Sequence, residues 1–291
     1  MGTTVAGRVD ELRSDRSHGG SWMARRAVEA LADLAETPAD SSADLLDRLD
    51  AAGRQLAASR PAMGAIAGAV GRVLAAAHRG AHLEPEHLRR LVQEEVHALV
   101  AGRDRAARSI AIQLAPALTD ALVLTHSASA TVREAVLHTP PERVVCTVSA
   151  PFEEGRAFAE ELRQSGLNVE LVDDAEAEQA LEHASLFLIG ADTVFRDGAV
   201  ANKTGTRPLA EAAARLGVRT VVACEVLKLA PIDAPDRIDD EHFDITPPEL
   251  VDEIVTEEGA YSSDDVRSLI DRTPFLSEGY ALLRGETAGY R

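Results

Sequence analysis

The chain has 291 residues, of which 45% are hydrophobic, so it can bury a sizeable core without disulfide bonds. Its 48 acidic residues outnumber 30 basic ones, and the net charge of −18 disfavours nonspecific contact with nucleic acid. Two cysteines in separate apolar runs and an N-terminus without a signal core predict a reduced, cytoplasmic protein. No apolar stretch is long enough to span a membrane, and no motif calls for a cofactor or a metal.

Lysine is almost absent from this sequence. Only two of the 30 basic residues are lysines, Lys203 and Lys228. The acid excess, the lysine poverty and the richness in alanine and arginine are typical of proteins from salt-loving organisms with GC-rich genomes. We interpret the charge as an adaptation of the solvated surface. Lys203 is then retained either for a function or by codon bias, and the composition leaves both explanations open.

The first part of the chain, up to about residue 118, predicts helices only. The segment "SWMARRAVEALADLAE" places a row of side chains on one helical face: Met23, Ala27, Leu31 and Leu34. A second helix is expected after Asp40 or Ser41, and a third is expected to end at Gly80. The segment from residue 83 predicts one long helix that ends near Pro116.

From about residue 120 the pattern changes to five short apolar runs that alternate with helices of about ten residues. This alternation predicts βαβ units on a parallel sheet, so the fold class is α/β. The apolar runs are "DALVLTH", "RVVCTV", "NVELV", "SLFLIG" and "VRTVVAC". We therefore expect a helical domain over 1–118 and an α/β domain over 119–291, with a last helix in "SDDVRSLIDR".

In a parallel sheet, ligands bind beyond the carboxyl ends of the strands, so the residues after each run are the candidates. "GADTVFRDGAVANKTGT" (190–206) offers glycines, the ammonium of Lys203, the hydroxyl of Thr204 and a helix start with Thr206 as a possible N-cap. These groups predict a phosphate site in which Asn202 also contacts the ligand, although Asn202 stands where a P-loop requires glycine. A solvated loop with an incidental lysine is the alternative.

Two other strand ends carry reactive side chains. Asp192 follows the fourth run and is interpreted as a general base, as a ligand for a sugar hydroxyl, or as a cap of loop amides. After the first run, His126, Ser127 and Ser129 form a turn whose hydroxyls and amides suit a second phosphate. A histidine with a purely structural role is the competing interpretation of His126.

Four segments together resemble the initiation factor 2B alpha/beta/delta superfamily. They are "SRPAMGAIAGAV", "VLTHSASATV", "GADTVFRDGAVANKTGT" and "FDITPPELVDEIVTEEG", and the resemblance covers roughly residues 20 to 275. It implies an N-terminal helical domain and a Rossmann-like C-terminal domain. The family includes regulatory subunits of the exchange factor for translation initiation factor 2. It also includes isomerases of methylthioribose 1-phosphate and of ribose 1,5-bisphosphate.

The resemblance also implies a catalytic cysteine and a catalytic aspartate, and this chain keeps only the second. Asp192 matches the aspartate of the "GAD" motif, whereas Ser127 stands at the cysteine position in "LTHSAS". Ala150 replaces an arginine that helps to hold phosphate in the enzymes, while Arg60 and Lys203 match positions near the phosphate. A serine hydroxyl is a much weaker acid than a thiol, which argues against the isomerase chemistry.

We therefore expect a noncatalytic regulatory or binding protein, homo-oligomeric, that senses a phosphorylated sugar or nucleotide through Arg60, the 125–131 turn and Lys203. Translation initiation factor 2 is a partner by resemblance only. There are two alternatives. One is an isomerase of ribose 1,5-bisphosphate with Asp192 as acid and base, and the other is a scaffold that binds only proteins. Cys146 is considered as a replacement for the missing thiol. We also expect Lys203→Arg to weaken ligand binding, because a planar guanidinium does not fit a tight phosphate site.

Overall fold

The computed structural model describes residues 4–16 and 18–286. Its N-terminal helices are α1 (Val5–Ser14), α2 (Gly20–Ala35), α3 (Ser42–Ala57), α4 (Gly64–Arg79) and α5 (Pro85–Leu118). The later helices are α6 (Ala130–His138), α7 (Glu154–Gln164), α8 (Ala177–Leu181), α9 (Thr206–Leu216), α10 (Val266–Asp271) and α11 (Pro274–Leu283). The strands are β1 (Leu122–Thr125), β2 (Arg143–Thr147), β3 (Val169–Val172), β4 (Leu186–Ile189), β5 (Thr193–Val194), β6 (Val200–Lys203), β7 (Arg219–Ala223), β8 (Phe243–Thr246), β9 (Glu253–Thr256) and β10 (Gly259–Tyr261).

The described chain divides into two compact units, which we call the helical unit and the α/β unit. The helical unit comprises the residues up to Arg103, the segment Leu227–Pro231 and the residues from Leu269 onward. The α/β unit comprises Asp104–Val226 and Ile232–Ser268. This division falls inside α5, earlier than the predicted boundary at residue 118, because the second half of α5 packs into the core of the sheet through Ile110, Leu114 and Leu118.

The first helices form where the apolar spacing predicts them. In α2, Met23, Ala27 and Leu31 are fully buried, and the hydroxyl of Ser41 caps α3 by accepting from the amide of Asp44. The predicted long helix is present as α5, with Pro116 inside its last turn. The helix α1 was not expected from the polar N-terminal sequence. None of the helices within residues 4–16 and 18–286 is both long and apolar enough to cross a bilayer.

The five apolar runs form five parallel strands, which confirms the predicted α/β fold. The main sheet has seven strands in the order β10-β9-β7-β4-β1-β2-β3, and only β10 runs antiparallel to its neighbour. The sixth parallel strand, β9, was missed in the sequence because its four residues, "EIVT", stand among acidic residues. The chain order reverses between β1 and β4, so a crevice is expected there beyond the strand ends.

A second, smaller sheet corrects the prediction that 190–206 is a loop. Strands β5, β6 and β8 pair antiparallel in that order, and Lys203 is the last residue of β6, opposite Phe243 of β8. The side chains of β6 are buried along its whole length. Lys203 is therefore held on a rigid strand whose position is fixed by pairing with β8. The C-terminal tail also contains one more helix than expected, since α11 follows α10.

Candidate functional site

The reversal of chain order brings the first and fourth strands of the sequence pattern side by side. Strand β1 pairs with β4, so Ser127 and Asp192 leave the carboxyl edge of the sheet on neighbouring strands. The two turns approach closely, since a Cβ on Gly190 would lie 2.5 Å from the hydroxyl of Ser129. Only glycine allows this approach. The fold thus places the serine at the expected cysteine position and the "GAD" aspartate at one crevice in the α/β unit.

A chain of hydrogen bonds runs behind this edge and is centred on His126, which is only 3% exposed. Its Nε2 lies 3.0 Å from the carbonyl oxygen of Thr204, and its Nδ1 lies 2.7 Å from the hydroxyl of Thr147. The hydroxyl of Thr147 lies 2.8 Å from that of Ser149, and the latter accepts from the amide of Ser127. His126 therefore joins the turn after β1 to the end of β2 and to the residue after β6.

The geometry determines the protonation of this histidine. A carbonyl oxygen can only accept, so Nε2 must carry the proton that it donates to Thr204. Burial lowers the pKa of His126 below its ordinary value, with the hydrogen bond to Thr204 opposing the shift. A neutral ring then accepts at Nδ1 from the hydroxyl of Thr147. The structural interpretation of His126 is thus favoured over direct ligand binding.

Ser127 and Lys203 meet at one carboxylate, that of Glu154. The hydroxyl of Ser127 donates to Glu154 Oε1 at 2.7 Å. The ammonium of Lys203 lies 3.0 Å from Oε1 and 3.2 Å from Oε2 of the same side chain. These three groups come from the ends of β1, β6 and the start of α7. The structure therefore links two predicted site residues through a third that the sequence analysis did not single out.

The surroundings of Lys203 hold its ammonium in place. Lys203 is only 5% exposed, and its Nζ lies 4.8 Å from the centre of the Phe152 ring, a cation–π distance. The ring of Phe152 in turn stacks on that of His242 at 4.7 Å. A buried cation needs a partner, and Glu154 supplies it, whereas the aromatic face orients it.

The backbone next to Lys203 and Glu154 is in an unusual conformation. Ser127, Ser149 and Glu153 all have positive φ angles, of 67°, 64° and 55°. Residues other than glycine rarely adopt this region, and they cluster at functional sites where the surroundings enforce them. Here the hydrogen bond from the amide of Ser127 to the hydroxyl of Ser149 ties two of the three together.

A second carboxylate closes the neighbouring loop. Asp174, after β3, accepts from the amides of Ser149 and Ala150, each at 2.7 Å. Ala150 is the position at which the resemblance implies a phosphate-binding arginine. In this chain the same loop is instead held by an aspartate, so its amides are already bonded.

A third carboxylate occupies the helix start after Lys203. Asp244 accepts from the amide of Gly205 at 2.8 Å and from that of Arg207 at 3.1 Å. The prediction that Thr206 caps α9 is wrong, because Gly205, with a φ of 104°, is the residue before the helix. Thr206 instead donates its hydroxyl to the carbonyl of Lys203 and accepts from the side-chain Nδ2 of Asn202. An anion at the start of α9 is thus already provided by the protein.

Asp244 makes the stability of the protein depend on pH in a defined direction. Burial raises its pKa from 3.8 to about 6, although the amides of Gly205 and Arg207 oppose the shift. Between those values the folded protein binds more protons than the unfolded chain, so this group's contribution to stability falls as the pH rises. We expect the unfolding free energy of the wild type minus that of Asp244→Asn to decrease from about pH 4 to about pH 6 and then to level off. Urea unfolding at each pH measures it, and a flat difference would contradict the prediction.

The other predicted residues have identifiable partners. Thr204 donates its hydroxyl to the carbonyl of Glu241 at 2.6 Å, and Ser129 caps α6 by accepting from the amide of Val132. The amide of Asp192 donates to the carbonyl of Ala201. Arg60 belongs to the helical unit, where its guanidinium donates to the carbonyl of Asp15 at 3.0 Å. The structure thus brings Ser127 and Lys203 together, while Ser129, Asn202 and Thr204 support the loops around them.

Cys146 cannot replace the missing thiol. It lies inside β2 in the core of the sheet, and burial raises the pKa of its thiol to about 12. At neutral pH it remains protonated and out of contact with solvent. In the part of the chain that the structure describes, no three His, Cys, Asp or Glu side chains come together as a metal site.

Sequence reasoning missed Glu154, Asp174 and Asp244, although the first two lie in segments that follow strands. Only the position of these carboxylates in the sequence could have indicated a role at the site. A carboxylate after a strand can serve many roles, so position alone does not single it out. The partner of each carboxylate lies 24 or more residues away along the chain, as with the 49 residues that separate Glu154 from Lys203. Only the folded arrangement shows which amide or ammonium each carboxylate meets.

Comparison with known proteins agrees with this architecture. A translation initiation factor eIF-2B subunit 2-like protein of Pyrococcus horikoshii is 31% identical over 272 residues, which cover 86% of this chain and 93% of that protein. A ribose 1,5-bisphosphate isomerase of Haloterrigena turkmenica is 29% identical and covers 91% of this chain and 92% of its own length.

Among solved structures, the tetrameric eIF2B-beta2-delta2 complex of C. thermophilum has a chain with a TM-score of 0.79. Its identity is 21%, and 92% of this chain and 93% of that chain are covered. Members of the family thus form oligomers. The sequence model of the initiation factor 2 subunit family matches residues 16–238, most of the chain. The resemblance drawn from four short segments is confirmed: the chain belongs to the initiation factor 2 subunit family.

Proposed function

We propose that this protein is a noncatalytic member of its family, a regulatory or binding subunit of the eIF2B type. The observation that carries the proposal is the state of Ser127. It stands at the carboxyl end of β1 where the resemblance implies a catalytic cysteine, and its hydroxyl donates to Glu154. A serine hydroxyl that is already bonded to a carboxylate is a poor acid for proton exchange with a substrate.

The ligand proposed for this site is a phosphorylated sugar or nucleotide. The support is the buried ammonium of Lys203 at the edge of the sheet, beside the turn of residues 125–131. An ammonium on a rigid strand is suited to a phosphate group. The site is not preformed for that ligand, since Glu154 now holds the ammonium. Ligand entry requires the carboxylate to leave.

The alternative function is isomerisation of ribose 1,5-bisphosphate to ribulose 1,5-bisphosphate. It requires movement of a proton between C1 and C2 of the open-chain sugar, and Asp192 would be the acid and base. Its support is the position of Asp192 at the crevice between β4 and β1 and the identity with the isomerase of Haloterrigena turkmenica. The absence of a reactive thiol at residues 127 and 146 weighs against it.

An isomerase assay with a thermal shift on the same mixture tests the proposal. Ribose 1,5-bisphosphate is added to the purified protein in high salt, and the formation of ribulose 1,5-bisphosphate is measured. We expect no turnover and a higher Tm, because a ligand that binds only the folded state stabilises it. Turnover that Asp192→Asn abolishes would overturn the proposal. Absence of both signals would favour a scaffold that binds only proteins.

The proposal extends to partners. We infer from the oligomeric relative, whose tetramer holds two copies each of two subunits, that this chain assembles into an oligomer that contains copies of itself, which sedimentation measures directly. The eIF-2B-like relative makes translation initiation factor 2 the partner to test first. Copurification of that factor would support the assignment, and a monomer without affinity for it would contradict the assignment.

A further inference from the structure

Carboxylates of the chain occupy three anion-binding positions at the carboxyl edge of the main sheet. Asp174 accepts from the two amides after β2, and Asp244 accepts from the two amides at the start of α9. Glu154 accepts from the ammonium at the end of β6 and from the hydroxyl after β1. Backbone amides at a helix start, ammonium groups and hydroxyls are the donors that bind phosphate in other proteins.

Glu154 differs from the other two because it neutralises a side-chain cation. The amides bonded by Asp174 and Asp244 are neutral donors of two loops. Lys203 is charged and nearly buried, so loss of its partner would leave an uncompensated ammonium. One anion is therefore required at this place, and the protein supplies it from its own sequence.

The bonds that Glu154 makes are those that a phosphate would make. Its two oxygens take one hydrogen bond each, from Ser127 at 2.7 Å and from Lys203 at 3.2 Å, and the ammonium lies 3.0 Å from the second oxygen that it faces, Oε1. A phosphate monoester presents three oxygens and more charge, and fits the same donors. A carboxylate and a phosphate cannot both occupy the space between Ser127 and Lys203.

The side chain of Glu154 can leave while its backbone stays in place. The next residue, Gly155, packs against the carbonyl oxygen of Thr147, which fixes the start of α7. The side chain itself is 26% exposed, whereas that of Lys203 is 7% exposed and lies against Phe152. Rotation of the carboxylate toward solvent therefore exposes the ammonium without moving the helix.

We propose that Glu154 determines the specificity of this site, acting as an internal competitor that a phosphate monoester must displace from Lys203 and Ser127. This inference rests on the proposed ligand class of the same site. A carboxylate that the fold holds next to the ammonium competes with every anion from solution without the entropy cost of association. The wild-type protein is therefore selective for ligands whose additional contacts outweigh the carboxylate, and it ignores weakly binding anions.

The test compares phosphate binding by Glu154→Gln, by Glu153→Gln and by the wild type. Glutamine keeps the size of the side chain but removes the charge that holds the ammonium. Glu153 is exposed and pairs with Arg156, so its replacement makes the same charge change without touching Lys203. The probes are inorganic phosphate and ribose 1,5-bisphosphate, titrated by calorimetry at constant salt. A double variant, Glu154→Gln with Lys203→Met, removes the cation as well.

We expect Glu154→Gln to bind both probes at least tenfold more tightly than the wild type, with Glu153→Gln unchanged and the double variant without the gain. Equal or weaker binding by Glu154→Gln, or a gain that survives Lys203→Met, would overturn the inference. An isomerase assay on the same samples separates the two proposals. Turnover by the wild type would refute the noncatalytic function, while the order of affinities would still decide the role of Glu154.

Discussion

Gly155→Ala is expected to destabilise the protein by about 3 kcal/mol or more, because no space exists for a Cβ at this position. The added atom would overlap the carbonyl oxygen of Thr147 and lie 3.0 Å from that of Val148. Thr147 is the last residue of β2 and is paired with β3, so its carbonyl cannot withdraw. The start of α7 must move instead, and Glu154 moves with it away from Lys203.

Urea unfolding of the purified variant measures this loss, and Gly19→Ala is the matched control. A Cβ at Gly19 meets nothing within 4 Å, so the same chemical change there should cost less than about 1 kcal/mol. Similar stabilities of the two variants would show that the approach of α7 to β2 is not tight. A loss confined to Gly155→Ala would support the fixed backbone on which the position of Glu154 depends.

His126→Ala is expected to cost about 3 to 5 kcal/mol, the largest effect of any single side-chain removal at the site. The change opens a cavity where the ring is 3% exposed. It also removes the donor to the carbonyl of Thr204 and the acceptor of the Thr147 hydroxyl. The carbonyl of Thr204 would then lose its donor, and the buried Thr147 hydroxyl would keep only its contact with Ser149.

Two variants test the cause of that loss. His126→Gln retains an amide that can donate to Thr204 and should recover part of the stability. His138→Ala changes an exposed histidine at the end of α6 and should change stability by less than about 1 kcal/mol. If His126→Ala were as stable as His138→Ala, the hydrogen-bond chain behind the site would have no structural role.

The five parallel strands and most helices could be predicted because their signals are local. The run "RVVCTV" buries every side chain after Arg143, and the row that includes Met23 and Ala27 repeats with the period of a helix. Strand β9 and the small sheet gave no such signal. Val200–Lys203 contains Asn202 and Lys203, which are polar yet buried, and their burial depends on pairing with β8.

The site shows the same division between local and distant information. The positions of Ser127 and Asp192 beyond strand ends, and of Lys203 in the segment that follows β4, follow from the order of strands and helices in the sequence. Their partners do not, because Glu154 is separated from Lys203 by 49 residues and from Ser127 by 27. The segment "PFEEG" does not indicate whether its carboxylates are solvated or paired with a cation.

The amino-acid sequence by itself determined the α/β fold and the family, and it predicts a ligand site at the strand ends. These properties depend on apolar periodicity and on short motifs, which are contained within single segments. Only the tertiary structure decided that Lys203 ends a strand, that Asp244 accepts from the amides at the start of α9 and that Glu154 forms an ion pair with Lys203. Each of these is an interaction between distant segments, and its energy depends on burial and distance, which exist only after the chain has folded.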